Sequence, residues 1–250
     1  MSKQALQRLI KLDMKDSDRF HLREMGIYLE FDEANLMHAK AMILGPEGTP
    51  YERGMLFFTI EFPKNYPFSP PLVQYVSASR VRIHPNLYVG HSSEAFQGKV
   101  CLSSLNTWTG PKWTSVMTIG TILLTIQSLL DAHPLRNEPG YESVTGAVEQ
   151  TYNRVVEYDT LRQLVIRHGD HLRSDTEANE VYEGFGVFNE AIRDHLTTHR
   201  TWFLEKVTRL CQEYPKEMQY LVGIYRLRVK ISYPEMNKAM GTFLNLIEVI

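Results

Sequence analysis

Cysteine is scarce: only Cys101 and Cys211 occur in 250 residues. Two thiols cannot build a disulfide framework, so the composition points to a reducing compartment, cytoplasmic or nuclear. A surplus of positive charge is missing too. Lys and Arg number 27 against 29 Asp and Glu, for a formal net charge of -2. A basic nucleic-acid-binding face would tip that balance the other way, so no nucleic-acid partner is expected. The most apolar helix-length stretch, Ile119 to Leu130, is broken by Gly120, Thr121, Thr125, Gln127 and Ser128. It is too short and too polar to cross a bilayer. The opening Met-Ser-Lys-Gln carries no apolar segment of the signal-peptide kind, and no membrane partner is expected. Phosphate-cradling Gly-x-x-x-x-Gly-Lys is absent, as are internal repeats and low-complexity tracts, so no cofactor is expected.

What is present is ordinary globular composition, 43% apolar and 22% charged, with clear periodicities. Leu6, Leu9 and Ile10 keep helical spacing, which predicts a first helix over 3–14. Short strands are predicted over 27–31, 36–44, 55–62 and 72–76, joined by the turns Gly45-Pro46 and Gly48-Thr49-Pro50. Four prolines between Pro63 and Pro71 forbid both helix and ladder pairing there. Consecutive short strands imply an antiparallel meander. Residues 80–113 show little periodicity, and long irregular segments inside compact domains are usually functional or disordered. Ile119, Ile122, Leu123, Ile126, Leu129 and Leu130 then form one helical stripe suited to packing on a sheet. Beyond Val144 the patterns read as helical throughout, with a capping box at Ser174-Asp175-Thr176-Glu177 and Pro215 in the first turn of a further helix. The expected fold class is α+β: a four-strand antiparallel meander flanked by helices, followed by an all-helical C-terminal extension.

Chemistry concentrates in Gly98-Lys99-Val100-Cys101-Leu102-Ser103, a cysteine inside the irregular stretch. Taken alone, Cys101 is either a buried structural thiol or a nucleophile able to carry an acyl group as a thioester. Around it stand Tyr66-Pro67-Phe68-Ser69-Pro70-Pro71, then His84-Pro85-Asn86, and downstream Trp108-Thr109-Gly110-Pro111-Lys112-Trp113. In this order, with a first helix, a meander and a later helix ending in Ser-Leu-Leu, the chain resembles the ubiquitin-conjugating enzymes. The resemblance covers roughly residues 3 to 155. Cys101 to Trp113 and Asn137-Glu138-Pro139-Gly140 resemble the larger, atypical branch. That branch includes the catalytic region of the giant apoptosis inhibitor apollon and the conjugating enzyme that also accepts the modifier FAT-ten.

The resemblance implies a conjugating core at 1–158 and a helical extension at 159–250. It implies that Cys101 accepts ubiquitin or a ubiquitin-like modifier from an activating enzyme and passes it to a protein substrate's lysine or to a ubiquitin ligase. An exposed sulfur is a condition of that reading. Asn86 would stabilise the oxygen that turns negative, as a neutral amide donor can. His84 and Pro85 would fix the turn. Glu138, with Asn137 beside it, occupies the position of the family's acidic gate. A carboxylate raises a lysine's pKa, so its use there is orientation and proton acceptance. Lys3, Arg8 and Lys11 would meet the activating enzyme, and Phe68 and Trp113 the ligase.

Two departures stand out. Asn86 and Cys101 lie 15 positions apart, more than the family's usual spacing, with the extra residues around 89–95. Thr114-Ser115-Val116 stands where many members have Ser-Pro-Ala, which alters the rigidity of the ligase loop. Elsewhere, His195 and His199 have metal-pair spacing without a third ligand nearby, so solvated histidines and no metal are expected. Arg226, Arg228 and Lys230 alternate with apolar residues as a solvated face would, and Cys211 falls in a packed helical pattern. Two other readings remain open: a non-catalytic module with this fold, and a thiol hydrolase using a Cys-His pair.

Overall fold

The computed structural model describes residues 3–89, 98–167 and 184–247, without the side chains of Lys3, Gln4 and Arg19. The extra residues at 90–97 and the capping box at 174–177 lie outside the described residues. The chain divides into two compact units, Met1–Ser143 and Val144–Ile250. That division falls earlier than residue 158.

In the first unit, α1 (Lys3–Lys11) leads through tight turns into α2 (Asp16–Arg19) and then into the sheet. Strands β1 (Ile27–Phe31), β2 (His38–Leu44), β3 (Met55–Glu61) and β4 (Leu72–Val76) pair antiparallel in sequence order, the expected meander. Met55, Leu56, Phe57 and Phe58 are fully buried. Successive residues of a strand point to opposite faces, so this part of β3 is covered on both. In β4, Val73 and Tyr75 point inward, while Leu72 and Gln74 are exposed. The expected stripe becomes α3 (Ile119–Leu129), which buries Ile119, Ile122, Leu123 and Ile126.

Two buried carboxylates anchor the start of α3. Asp13 Oδ1 accepts from the Ile119 N–H at 3.0 Å and the Tyr66 hydroxyl at 2.7 Å, and Asp16 Oδ2 accepts from the Gly120 N–H at 2.7 Å. The first N–H groups of a helix lack partners within it, and the helix dipole favours negative charge there. A Cβ on Gly120 would lie 2.7 Å from Asp16 Oδ2, so this approach requires glycine.

The second unit is mainly helical. It comprises α4 (Ala147–Asp159), a π-helical continuation Thr160–Arg167, α5 (Asn189–Thr198), α6 (Arg200–Glu213) and α7 (Tyr233–Ile247). It also contains a hairpin of β5 (Met218–Val222) and β6 (Leu227–Ile231), which corrects the all-helical expectation. Pro215 precedes β5 and starts no helix. Arg226, Arg228 and Lys230 are exposed while Ile231 is buried, the period-2 alternation of a half-covered strand. His195 corrects another expectation. It is 7% exposed, with its ring 5.0 Å from His199 and 6.0 Å from Phe203. No group of three metal-capable side chains occurs among the described residues. None of their helices is long and apolar enough to cross a membrane.

Burial raises the Asp13 carboxyl pKa, only partly offset by its hydrogen bonds and by Arg8. Its proton is therefore favoured in the fold. The proton-linked part of the Asp13 contribution is fully present below the unfolded value of 3.8 and is lost as pH rises through the folded value, whereas the hydrogen bonds it accepts from Tyr66 and Ile119 are a separate contribution. At pH 7, Asp13→Ala is expected to cost about 2–4 kcal/mol by orphaning two buried donors, and Asp13→Asn distinctly less. Urea unfolding of both variants checks this; equal losses would contradict the anchoring role.

Candidate active site

The residues around Cys101 are positioned by backbone pairing. Gly98 adopts φ +67° and its carbonyl accepts from the Tyr75 N–H at 2.7 Å; a Cβ there would lie 2.6 Å from the Tyr75 oxygen. Gln74 bridges to Lys99, and Leu87 to Val100, both antiparallel. The segment entering the cysteine thus runs between β4 and the residues after the His-Pro-Asn turn. The Tyr88 N–H donates to the Lys99 carbonyl at 3.0 Å, and the Cys101 N–H to the Asn86 carbonyl at 2.9 Å. Alternation puts Leu87 and Val100, each 1% exposed, on one face of this ribbon. Asn86, Tyr88, Lys99 and Cys101 share the other.

Asn86 binds the cysteine twice. Besides accepting the Cys101 N–H, it donates its side-chain Nδ2 to the Cys101 carbonyl at 2.6 Å. Its buried Oδ1 has no hydrogen-bond partner among the described residues. After the cysteine, Thr107 Oγ1 accepts the Leu102 N–H at 2.9 Å and faces the Val100 carbonyl at 2.7 Å, closing the loop on itself.

His84 is fully buried. Its Nδ1 accepts the Asn86 N–H at 3.0 Å, so the proton sits on Nε2, which donates to the Leu129 carbonyl at 3.0 Å. Burial pushes this imidazole down to about 3, well below its usual 6.5. Both nitrogens are spent on backbone groups. His84 therefore joins the last turn of α3 to the turn that carries Asn86. Pro85 is buried beside it, and its carbonyl accepts from the Arg82 guanidinium.

The thiol itself departs from expectation. Cys101 is only 2% exposed, which corrects the accessible sulfur anticipated from sequence. The fold packs Val100, Cys101, Leu102 and Leu105 as a buried run. Burial pushes the thiol's pKa up; the charges of Lys99 and Arg82 and a hydrogen bond from Tyr88 pull it back, and Glu138 pushes it further up. Glu138 is half-buried, immediately after the single turn Pro134–Asn137. Its carboxylate is close enough for its charge to act on the sulfur. Asn137 turns its amide to the Pro134 carbonyl at 3.3 Å.

The residues expected to meet partners divide. Phe68 is 72% exposed, and Val116 in the neighbouring loop 81%. Trp113 does not share that surface. It is 8% exposed, and its indole donates to the Pro67 carbonyl at 2.7 Å, supporting the perch of Phe68 from beneath. Arg8 likewise turns inward. It donates to the Met117 carbonyl at 2.6 Å and lies 3.5 Å from Asp13, with its side chain 14% exposed. Lys11 is exposed, and the Lys3 side chain lies outside the described residues. Sequence reasoning missed Arg82, Tyr88 and Thr107. The ribbon register alone would have placed Tyr88 on the cysteine's face.

Residues 10–160 match the family model described as Ubiquitin-conjugating enzyme. Human Ubiquitin-conjugating enzyme E2 Z is 37% identical over 143 residues, covering 56% of this chain and 38% of that protein. The chain thus spans about two fifths of that relative's length. Human Dual E2 ubiquitin-conjugating enzyme/E3 ubiquitin-protein ligase BIRC6 is 34% identical over 204 residues, covering 78% of this chain and 4% of that protein. Coverage of 78% necessarily carries the likeness past residue 160, further than the motifs reach. Among solved structures, a Toxoplasma gondii ubiquitin conjugating enzyme E2 domain aligns with TM-score 0.46 at 24% identity. That alignment covers 64% of this chain and 98% of that one.

A histidine whose folded pKa is lowered gives its full stability above the unfolded value of 6.5 and loses it as pH falls toward about 3. Between pH 7.5 and 5.0, the protein is expected to lose about 2 kcal/mol more stability than His84→Gln, at ~1.4 kcal/mol per unit below 6.5. Denaturant titrations of both at the two pH values measure this, and parallel losses would show that His84 titrates normally.

Proposed function

Because the chain belongs to the ubiquitin-conjugating enzyme family, we propose that Cys101 carries ubiquitin or a ubiquitin-like modifier as a thioester. The observation that carries this reading is the double clasp of Asn86 on Cys101, within a ribbon that gathers Asn86, Tyr88, Lys99 and Cys101 on one face. The Cys101 thiolate attacks the carbonyl carbon of the activating enzyme's thioester. A new S–C bond forms, the old one breaks, and the donor sulfur leaves with the negative charge. ATP is spent by that partner. A neutral lysine amine, or a ligase thiolate, then attacks the carrier thioester and releases Cys101.

Asn86 has two N–H bonds on its amide. One is committed to the Cys101 carbonyl, and the other is the donor we assign to the developing oxyanion. Glu138 receives the proton of the attacking amine. Phe68 presents itself to a ligase, Lys3 and Lys11 to the activating enzyme. Residues 1–158 form the functional core, and 159–250 serve as a docking extension for modifier or substrate. A reducing compartment, cytoplasmic or nuclear, keeps both thiols available.

The near-closed thiol favours one second reading, a non-catalytic interaction module with this fold. Incubation with activating enzyme, ATP and ubiquitin, followed by a non-reducing gel, separates the two. A carrier shows a band shift that reductant reverses, Cys101→Ser shows at most a reductant-resistant oxyester, and Cys211→Ser behaves as the parent. No shift with ubiquitin or with a panel of other modifiers, each with its own activating enzyme, supports the module. For the charged protein, Glu138→Ala is expected to slow discharge onto free lysine by about 10²-fold without slowing charging. Unchanged discharge would remove Glu138 from the mechanism.

A further inference from the structure

The alternating cations of the second unit stand in a particular setting. Residues 216–231 hold four cations against one acid, Glu217, in a chain whose net charge is -2. The hairpin register puts Leu221 opposite Arg228 and Gln219 opposite Lys230. Residues paired across two strands share a face, and all four of these are exposed. Val222 and Ile231, on the opposite face, are buried, and the hairpin lies against α4. Lys230 reaches Glu217 at 2.6 Å, whereas Arg228 has no ion-pair partner among the described residues. The sheet has only these two strands. Among the described residues, no backbone hydrogen bond joins its outer edges to another element. An open edge presents unpaired N–H and C=O groups and is a template for a further strand. On β6 the charge selects that strand. A second copy of β6 would set Arg228 and Lys230 against like charges, which opposes pairing; a strand of opposite sign is favoured. A nucleic acid matches the charge but not the edge, because phosphate oxygens only accept hydrogen bonds and leave the strand's carbonyls unmet.

We propose that the outer edge of β6 docks an extended acidic peptide, which adds a third strand to the hairpin with Asp or Glu at alternate positions beside Arg228 and Lys230. Backbone bonds along the edge supply affinity, and the side chains set register and choice of partner. Side chains two apart on a strand share a face, so acids at every second position meet both cations at once. Neighbours across paired strands sit about 4.5–5.5 Å apart, close enough for ion pairing. Arg226, exposed where the turn enters β6, lengthens the cationic stretch. The inference rests on the docking role proposed for residues 159–250 and gives it a chemistry. It is independent of the carrier reading, because peptide binding needs neither Cys101 nor ATP.

The test titrates the full chain into a labelled eight-residue peptide with Glu at alternate positions between Thr and Val, read by fluorescence anisotropy. Two further peptides carry N-methyl groups, one on its Glu nitrogens and the other on its Thr and Val nitrogens. Alternate N–H groups of a strand point to opposite sides, so only one of the two isomers should lose binding. These arms leave the protein unaltered and serve even if a variant does not fold. Arg228→Glu is expected to weaken binding about 10-fold, and Arg209→Glu, an equal change of net charge on the exposed face of α6, less than about twofold. Hydrogen exchange should slow at alternate amides of 227–231 when the peptide binds. Absent binding at millimolar protein overturns the proposal. So do equal binding of both methylated isomers, equal losses in the two variants, or oligouridylate bound more tightly than the peptide. Protection by free ubiquitin elsewhere in 184–247, with none from the peptide, would sink the edge site and leave the docking role standing.

Discussion

The site depends on one imidazole remaining uncharged. His84 sits in the core with one nitrogen accepting from the Asn86 backbone and the other donating to the last turn of α3. Protonation would give Nδ1 a hydrogen pointing at the Asn86 N–H, and would place a positive charge in the interior. Either effect would loosen the turn that carries Asn86. Asn86 is what binds the backbone of Cys101 on both sides. The chain of dependence therefore runs from α3, through a neutral ring, to the peptide groups that hold the sulfur.

The other end of α3 is fixed with equal care. Asp13 and Asp16 meet its first N–H groups, and Asp13 also takes the Tyr66 hydroxyl, which ties the proline-rich connection to the same helix. Trp113 packs beside Tyr66 and bonds Pro67, and the exposed Phe68 follows directly. One helix thus serves as a common reference. Its N-terminal end orients the surface proposed for a ligase, and its C-terminal end orients the turn that holds Cys101, the proposed nucleophile. Short polar links between a rigid element and functional loops keep those loops in one geometry without a large apolar core beneath each of them.

Much of this is legible in the residues. All four strands, their order and α3 follow from periodicity and turn residues, because in each the apolar spacing and the local punctuation agree. Cys101, Asn86 and His84 are legible through a motif. Other features are not. Arg8 and Lys11 look alike in sequence, and only the fold brings Asp13 and Met117 to the first of them. Trp113 reads as an exposed aromatic until the Pro67 carbonyl is placed beside it. The hairpin of β5 and β6 is five residues per strand, set among helices. The alternation of Arg226, Arg228 and Lys230 is visible in the sequence, but a solvated face fits it without specifying a strand. Tyr88 becomes apparent only with the ribbon register, since it is 11 positions from its partner Lys99, in a segment whose sequence shows no strand period.

The closed state of the thiol has two opposed consequences. Burial raises its pKa and limits approach, yet it also strengthens every hydrogen bond and charge that acts on it, because little water competes. A site built this way stays quiet unless its polar supports are intact, and those supports lead back to His84. The most direct measurement is therefore nitrogen NMR of the His84 ring between pH 7.5 and 4.5, with the protein folded throughout. The account predicts a ring that stays neutral with its proton on Nε2 across that range. A midpoint near 6.5, or a proton on Nδ1, would contradict it.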